Sequence, residues 1–397
     1  MRASAFVYPW DVVGDPAAPE RIAALGVAQV TLAAAYHSTR ALTPRHPRHR
    51  VVTAEHAAVL YPTDEHRWRD RELRPYAAGA WAPGDAWGEA AAALRAAGLD
   101  VHTWVVLAHN SRMGRDRPDT SVVNAYGDRY PWAPCIAQPA VRAYLVELAA
   151  EAATRPGASG TELESLGWYG LAHLHAHDKI GGVPLGDAEQ YLMSLCFCPH
   201  CRAGYADRGV DGERLAAAVR RGLAPHWAGR GTAPGAVLDA PVGAALLGDA
   251  DLAAAVLDWR TRQARSLQEA VVAAVRAAAE PGFQVLMHAD PAPYRCGANA
   301  GVDAAHILGV ADGLVLPCTG DAAAREAVLG PAARHARRHT VLAANFTVVR
   351  GMGGSPATLA ADAAHAASLG ATELRLYHAG LAAEADLALV REALAGL

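Results

Sequence analysis

Gly313-Leu-Val-Leu-Pro317 and Val341-Leu-Ala-Ala-Asn345, with the helical spacing of residues 322–336 between them, decide how this chain is read. Each run is short, almost wholly apolar and does not alternate, which suits a strand covered on both faces by helices. The same unit repeats at once, with a helical stretch at 356–369 and then Glu373-Leu-Arg-Leu-Tyr377. Working outward, comparable strand runs fall at 5–8, 29–33, 101–107, 162–167 and 283–288. Helical stretches fall at 19–25, 85–97, 139–153, 252–279 and 383–394, and several stop at a glycine such as Gly26, Gly98 or Gly370. Eight strands alternating with helices predict an α/β fold, a single (β/α)8 TIM barrel over residues 1–397. Two long insertions, 36–82 after strand two and 168–248 after strand four, are expected at the C-terminal face. That face is where barrel enzymes hold their chemistry.

Composition narrows the class. The 397 residues are 52% hydrophobic, with a net charge of −4, a pI near 6.5 and mean hydropathy of +0.05. This balance argues against a nucleic-acid or anionic-membrane surface. No run of about 18 apolar residues offers a membrane span, and the N-terminus enters a strand pattern without a signal peptide. Six cysteines in so long a chain do not make a disulfide scaffold, so a reducing cytoplasm is expected. The composition is compatible with a homo-oligomer and does not specify one. Only Lys179 among the 36 basic residues is a lysine, which reads as a codon bias toward arginine.

Three of the six thiols crowd into Cys196-Phe-Cys198-Pro-His-Cys201. A Cys-x-x-Cys turn lets two thiolates meet one tetrahedral ion, and Cys196 can supply a third ligand. Cys135, in a proline-bounded turn ahead of a helix, is the best fourth ligand among Cys135, Cys296 and Cys318. A redox pair would normally open a helix in a thioredoxin-like context that is not visible here. The expectation is therefore a structural zinc held by Cys135, Cys196, Cys198 and Cys201.

The expected strand ends carry Trp10 and Asp11, Tyr36 and His37, His109 and Asn110, Glu164 with Trp168, His288 with Asp290, Asn345, and Tyr377. Rings that stack on pyranose faces and polar groups that hold hydroxyls are what a carbohydrate substrate needs. Any polar barrel rim would look partly like this, so it is the joint pattern that points to sugar. The loop after strand four adds His173, His175, His177 and Lys179, which read as a substrate border or a second metal site. Lys179 would suit a carboxylate or sulfate.

Residues 129–205 resemble glycoside hydrolase family 42, bacterial β-galactosidases of clan A. The resemblance rests on Cys135-Ile-Ala-Gln-Pro-Ala-Val-Arg142, then Glu162-Leu-Glu164-Ser-Leu-Gly-Trp168, then the Cys196–Cys201 cluster, in the family's order. It covers about a fifth of the chain and implies a barrel glycosidase with an acid/base glutamate on strand four and a four-cysteine zinc. Two departures stand out. Leu163 precedes Glu164 where the family has asparagine, and strand seven ends in Asn345 with no carboxylate for a nucleophile. Glu164 is expected as general acid, desolvated by Trp168 and favoured over the deeper Glu162. Asp290 is expected as second carboxylate, with Asp11 behind it. Two other readings remain at this point: a metal-dependent hydrolase or isomerase using the histidine loop, and a carbohydrate-binding barrel without catalysis.

Overall fold

The computed structural model describes residues 1–171, 179–230 and 240–397. Eight parallel strands form the barrel: β1 (Arg2–Val7), β2 (Gln29–Tyr36), β3 (Asp100–Val106), β4 (Gly160–Glu164), β5 (Gln284–Asp290), β6 (Gly313–Pro317), β7 (Val341–Thr347) and β8 (Glu373–Tyr377). Each pairs with its sequence neighbours, and β1 closes the ring against both β2 (Ser4 opposite Gln29) and β8 (Arg2 opposite Glu373). The (β/α)8 expectation is met. The strands are buried along almost their whole length because helices cover their outer face. Helix Pro139–Ala153, for example, starts with Pro at its first position and packs against the long helix Ala250–Ala278.

The interior of the barrel is polar at its centre. Glu162 Oε1 accepts from Arg375 Nε at 2.8 Å and from Thr31 Oγ1 at 3.1 Å, with both charged side chains fully buried. Such a pair survives only when geometry and extra hydrogen bonds offset its desolvation. Above it lies an aromatic layer of Phe6, Tyr8, Tyr36 and Trp104. Tyr36 reaches this layer through a break in register of β2 against β3 between Ala33 and Ala35. Ala33 packs with the interior layer and Ala35 with the outer core, yet Tyr36 again faces inward. A bulge re-aims the side chains that follow it, and here it points a tyrosine into the barrel mouth.

The segment after β2 forms a hairpin, Thr39–Leu42 with Val51–Ala54, and adds Ala58–Val59 antiparallel to β2. The segment after β4 carries helices Asp187–Met193, Pro199–Ala206 and Gly212–Trp227. A third elaboration was not expected: between β3 and Pro139–Ala153 lie helix Ser111–Asp116 and the hairpin Ser121–Val123 with Arg129–Pro134. Among the described residues, no helix is long and apolar enough to cross a membrane.

Candidate active site and thiol cluster

The C-terminal ends of the strands surround a cavity of about 1100 Å³ whose lining includes Tyr8, Tyr36, Glu164, Asp290 and Tyr377. Glu164 is the last residue of β4, and it is buried. Its Oε2 accepts from Trp104 Nε1 at 2.8 Å and from Tyr377 Oη at 3.2 Å. His288 Nδ1 stands 3.8 Å from the same oxygen. With Oε2 occupied by two donors, a proton on the neutral acid belongs on Oε1. Burial raises the Glu164 pKa; the nearby His288 and the Trp104 and Tyr377 hydrogen bonds only partly oppose it.

Glu162, two residues deeper, shows the opposite balance. Burial alone would raise its pKa, but the Arg375 charge with His102 and His288 outweighs it and holds the carboxyl well below its usual range. One strand thus delivers two buried carboxyls shifted in opposite directions, Glu162 toward the charged form and Glu164 toward the neutral one. The chain leaves β4 through Ser165, whose φ of 58° is one of two left-handed non-glycine conformations in the described residues. The other is His378, at 61°, directly after Tyr377. Both follow residues of the cavity floor, and such outliers cost of order 1–3 kcal/mol unless their surroundings impose them.

Asp290 ends β5. Burial raises its pKa, opposed by the Ala292 amide, which donates at 2.8 Å, and by Arg295, whose Nε lies 3.2 Å away. Arg295 also bonds Asp187 at 2.6 Å and so ties β5 to the segment after β4. Met287 lies opposite Leu163, so Asp290 stands two residues further up its strand than the neighbour of Glu164, roughly 7 Å along the axis.

The floor continues in rings. Tyr8 donates to Tyr36 at 3.0 Å and meets His378 Nδ1 at 2.9 Å. Burial, with His37 adding to it, lowers the His378 pKa to about 3, so this imidazole stays neutral. His109 stacks on Tyr169 with centroids 4.3 Å apart, and His37 stacks on Tyr36 at 4.2 Å. All of these residues line the same cavity.

Of the residues expected from sequence, the cavity lining brings together Glu164, Asp290, Tyr36, His37, His109 and Tyr377. His288 lies behind Glu164, between it and Glu162 Oε2 at 3.7 Å. Trp10 stacks beneath Tyr8 at 4.7 Å, because the chain turns at Pro9 into the short helix Pro9–Val12. Asp11 caps that turn by accepting from Tyr8 N at 2.9 Å and lines a separate cavity of about 90 Å³ with Arg45. Asn110 caps helix Ser111–Asp116, its Oδ1 accepting from Met113 N. Asn345 is buried two residues before the end of β7, and its carbonyl accepts from Cys318 N. Trp168 is a correction. Its indole lies against the Arg260 guanidinium, 4.4 Å from the ring centre, and donates to the Arg260 carbonyl. The ring against Glu164 is Trp104. Lys179 is exposed, and His173, His175 and His177 lie outside the described residues. Trp104, Tyr169 and Arg295 were not anticipated, while Tyr8 and His378 stood at expected strand ends without being singled out. Tyr8 continues the inward phase of Ser4 and Phe6, and Trp104 that of His102, so the two-residue period held the signal for both.

Below the rim, Cys135, Cys196, Cys198 and Cys201 are buried free thiols whose sulfurs all lie within 4.8 Å of one another. Cys135 Sγ is 3.6 Å from Cys201 Sγ and 3.7 Å from Cys198 Sγ. A disulfide would need about 2.05 Å. A tetrahedron of 2.3 Å metal–sulfur bonds has edges of about 3.8 Å, which these distances match. Backbone bonds fix the three segments: Cys135 N to Thr120 O, Phe197 N to Val123 O, and Arg202 N to Cys198 O at the start of helix Pro199–Ala206. The four thiols fit a closed metal centre.

No family model matches the sequence, and no curated protein matches it. Solved structures do. The chain is similar to α-L-fucosidase isoenzyme 2 from Paenibacillus thiaminolyticus, with a TM-score of 0.59 at 14% identity over 100% of this chain and 49% of that one. It thus spans about half the length of that protein. The catalytic domain of β-amylase from Paenibacillus polymyxa gives 0.57 at 12% identity, covering 98% of this chain and 97% of that one. The glycoside hydrolase domain of PgaB (BpsB) from Bordetella bronchiseptica gives 0.53 at 15%, covering 99% and 98%. At these identities the likeness shows the fold: a TIM barrel of the kind these sugar-cleaving proteins use.

Proposed function

We propose that this protein is a glycoside hydrolase, with Glu164 as general acid and a structural zinc on its four clustered cysteines. The observation that carries the reading is the setting of Glu164, a buried carboxyl at the cavity floor. Two neutral donors occupy Oε2, and Oε1 has no partner among the described residues. A proton donor needs a raised pKa, which burial gives this carboxyl, and an oxygen left free to carry the proton. Asp290, in the same cavity, is the second carboxylate. In the reaction the glycosidic C–O bond breaks as Glu164 Oε1 gives its proton to the leaving oxygen. A water oxygen bonds to the anomeric carbon while Asp290 takes the water's proton, and solvent exchange restores both groups. Arg295 restrains the rise that burial gives the Asp290 pKa and so favours the ionised form that a base requires. Tyr8, Tyr36, His37, His109, Tyr169, Tyr377 and His378 hold and stack the sugar.

The missing carboxylate on β7 argues against the retaining arrangement of family 42, so the resemblance supports the acid and the thiol cluster rather than the whole mechanism. Zinc follows from four thiolates in a closed tetrahedral cage, where it is the metal without redox chemistry. Its work is to pin the segment after β4 to the hairpin before Pro139–Ala153. The test is hydrolysis of an aryl-glycoside panel by the native protein and by Glu164→Gln. A native protein inactive on every sugar would remove the reading.

A further inference from the structure

The cavity has two chemistries. Its floor is built of rings, imidazoles and carboxyls, whereas much of its mouth is aliphatic. Leu42, Ile180 and Met352 are exposed by 65%, 49% and 51%, and all three line the cavity. They are three of the seven large hydrophobic residues left exposed among the described residues, so exposed apolar surface is concentrated at this opening. Leu42 and Met352 belong to one lip. Arg45, in the turn of the hairpin that carries Leu42, donates to the carbonyls of Ala379 and Gly380 at 3.2 and 3.1 Å, and holds the hairpin against the segment after β8. Leu381 of that segment packs with the aromatic layer and also lines the cavity. The 3-10 turn Arg350–Met352 is tied to the same side by Arg350 N, which donates to Asp386 at 3.3 Å. Ile180, Val183 and Leu185 form a second lip, after β4.

The described lining also holds Ser38, Thr39, Arg40, Gln190 and Asn299. A chain of sugars running outward from Glu164 would still lay hydroxyls against Leu42, Ile180 and Met352, whose side chains neither donate nor accept. An alkyl or aryl group in the same place would gain by leaving water. We infer that the substrate is a glycoside with an apolar aglycone: one sugar sits on the aromatic floor at Glu164, and an alkyl or aryl leaving group lies along the aliphatic lips. This rests on the glycosidase reading of the floor and adds the substrate class to it. The continuity of the lips with the floor argues for this occupant over a separate partner, because Leu42, Ile180 and Met352 line the same cavity as Glu164.

The experiment compares methyl, hexyl and octyl glycosides of whichever sugar the aryl panel selects, below their micellar concentrations. If none is selected, β-D-galactosides, β-D-glucosides and α-L-fucosides are all used. Turnover is read as kcat/KM, and binding to Glu164→Gln is read by calorimetry. Each methylene removed from water is worth about fourfold at full burial, so a partly open mouth should still give at least about tenfold from methyl to hexyl. A Leu42→Ser/Met352→Ser double variant should flatten that dependence. Equal kcat/KM and equal binding across the series overturn the inference, as does faster cleavage of an oligosaccharide of the same sugar. Binding that strengthens with chain length without turnover keeps the apolar mouth and rejects the glycosidase floor. Sedimentation gives one more outcome: a dimer that the double variant dissociates would assign the lips to a second copy of the chain and overturn the inference.

Discussion

Trp104 on β3 donates to Glu164 on the adjacent β4 at 2.8 Å, and the oxygen that receives it also receives Tyr377 from β8. Strands on two sides of the barrel thus fix which oxygen of one carboxyl is occupied. Both donors favour the charged form, while burial favours the neutral form and prevails. Removing a donor should therefore move Glu164 further upward. In Trp104→Phe the alkaline limb of the kcat/KM profile is expected at higher pH than in the native protein. An unmoved or lowered limb would detach that limb from Glu164.

Asp290 is expected to set the acidic limb, because it must be ionised to act as a base. Burial raises its pKa, and Arg295 at 3.2 Å restrains the rise. Arg295→Gln should move the acidic limb to higher pH and leave the alkaline limb in place. Movement of both limbs together would indicate a general distortion of the cavity instead.

Asp11 carries a stability signature separate from catalysis. Burial raises its carboxyl to about 7, against the Tyr8 amide and the Arg45 charge that oppose the shift. The folded form then binds a proton that the unfolded chain has released above a pH of about 4. Stability contributed by this group is present at low pH and is lost as pH rises from about 4 to 7. Asp11→Asn keeps an acceptor for Tyr8 N and removes the charge. Denaturant titration should find the variant more stable than native at pH 8, by on the order of 1–4 kcal/mol, with the difference vanishing near pH 4. A variant less stable at pH 8 would mean the ionised carboxylate is a stabilising partner of Arg45.

The thiol cluster should behave as a structural centre. Metal analysis is expected to return one zinc per chain, lost in Cys135→Ser. Chelation should lower the Tm by roughly 5 °C or more, since several kcal/mol of metal binding is also folding energy. Activity should fall with unfolding and not before it. Retention of full stability without metal would reduce the cluster to packed thiols.

The strand–helix alternation was legible because buried parallel strands are plain apolar runs: Gly313–Pro317 and Glu373–Tyr377 have the bounds read from sequence, as does helix Pro139–Ala153. The metal cluster was legible too, since Cys196, Cys198 and Cys201 are local and few cysteines remain to join them. The wall around Glu164 was harder to read. Trp168 is four residues from Glu164 in sequence, but the chain turns at Ser165 and carries it away to Arg260. Trp104 is sixty residues away in sequence and lies opposite Glu162 on the adjacent strand, from where its indole reaches Glu164, a relation set by strand pairing. Tyr36 faces inward only because of the β2 bulge, which a two-residue period cannot show. At the end of strand one it is Tyr8 that lines the cavity, for Pro9 redirects the chain so that Trp10 and Asp11 fall beneath it.

The most direct test of the account is the rate of the Glu164→Gln variant on two leaving groups of the same sugar, one poor and one activated. Gln keeps an oxygen for Trp104 and Tyr377 but has no proton to give. With Glu164 as the acid, the variant should lose about 10²–10⁴-fold on the alkyl glycoside and much less on the nitrophenyl glycoside, with no alkaline limb in the remaining activity. Full activity on the alkyl glycoside, or equal losses on both substrates, would contradict the assignment of Glu164 as the acid.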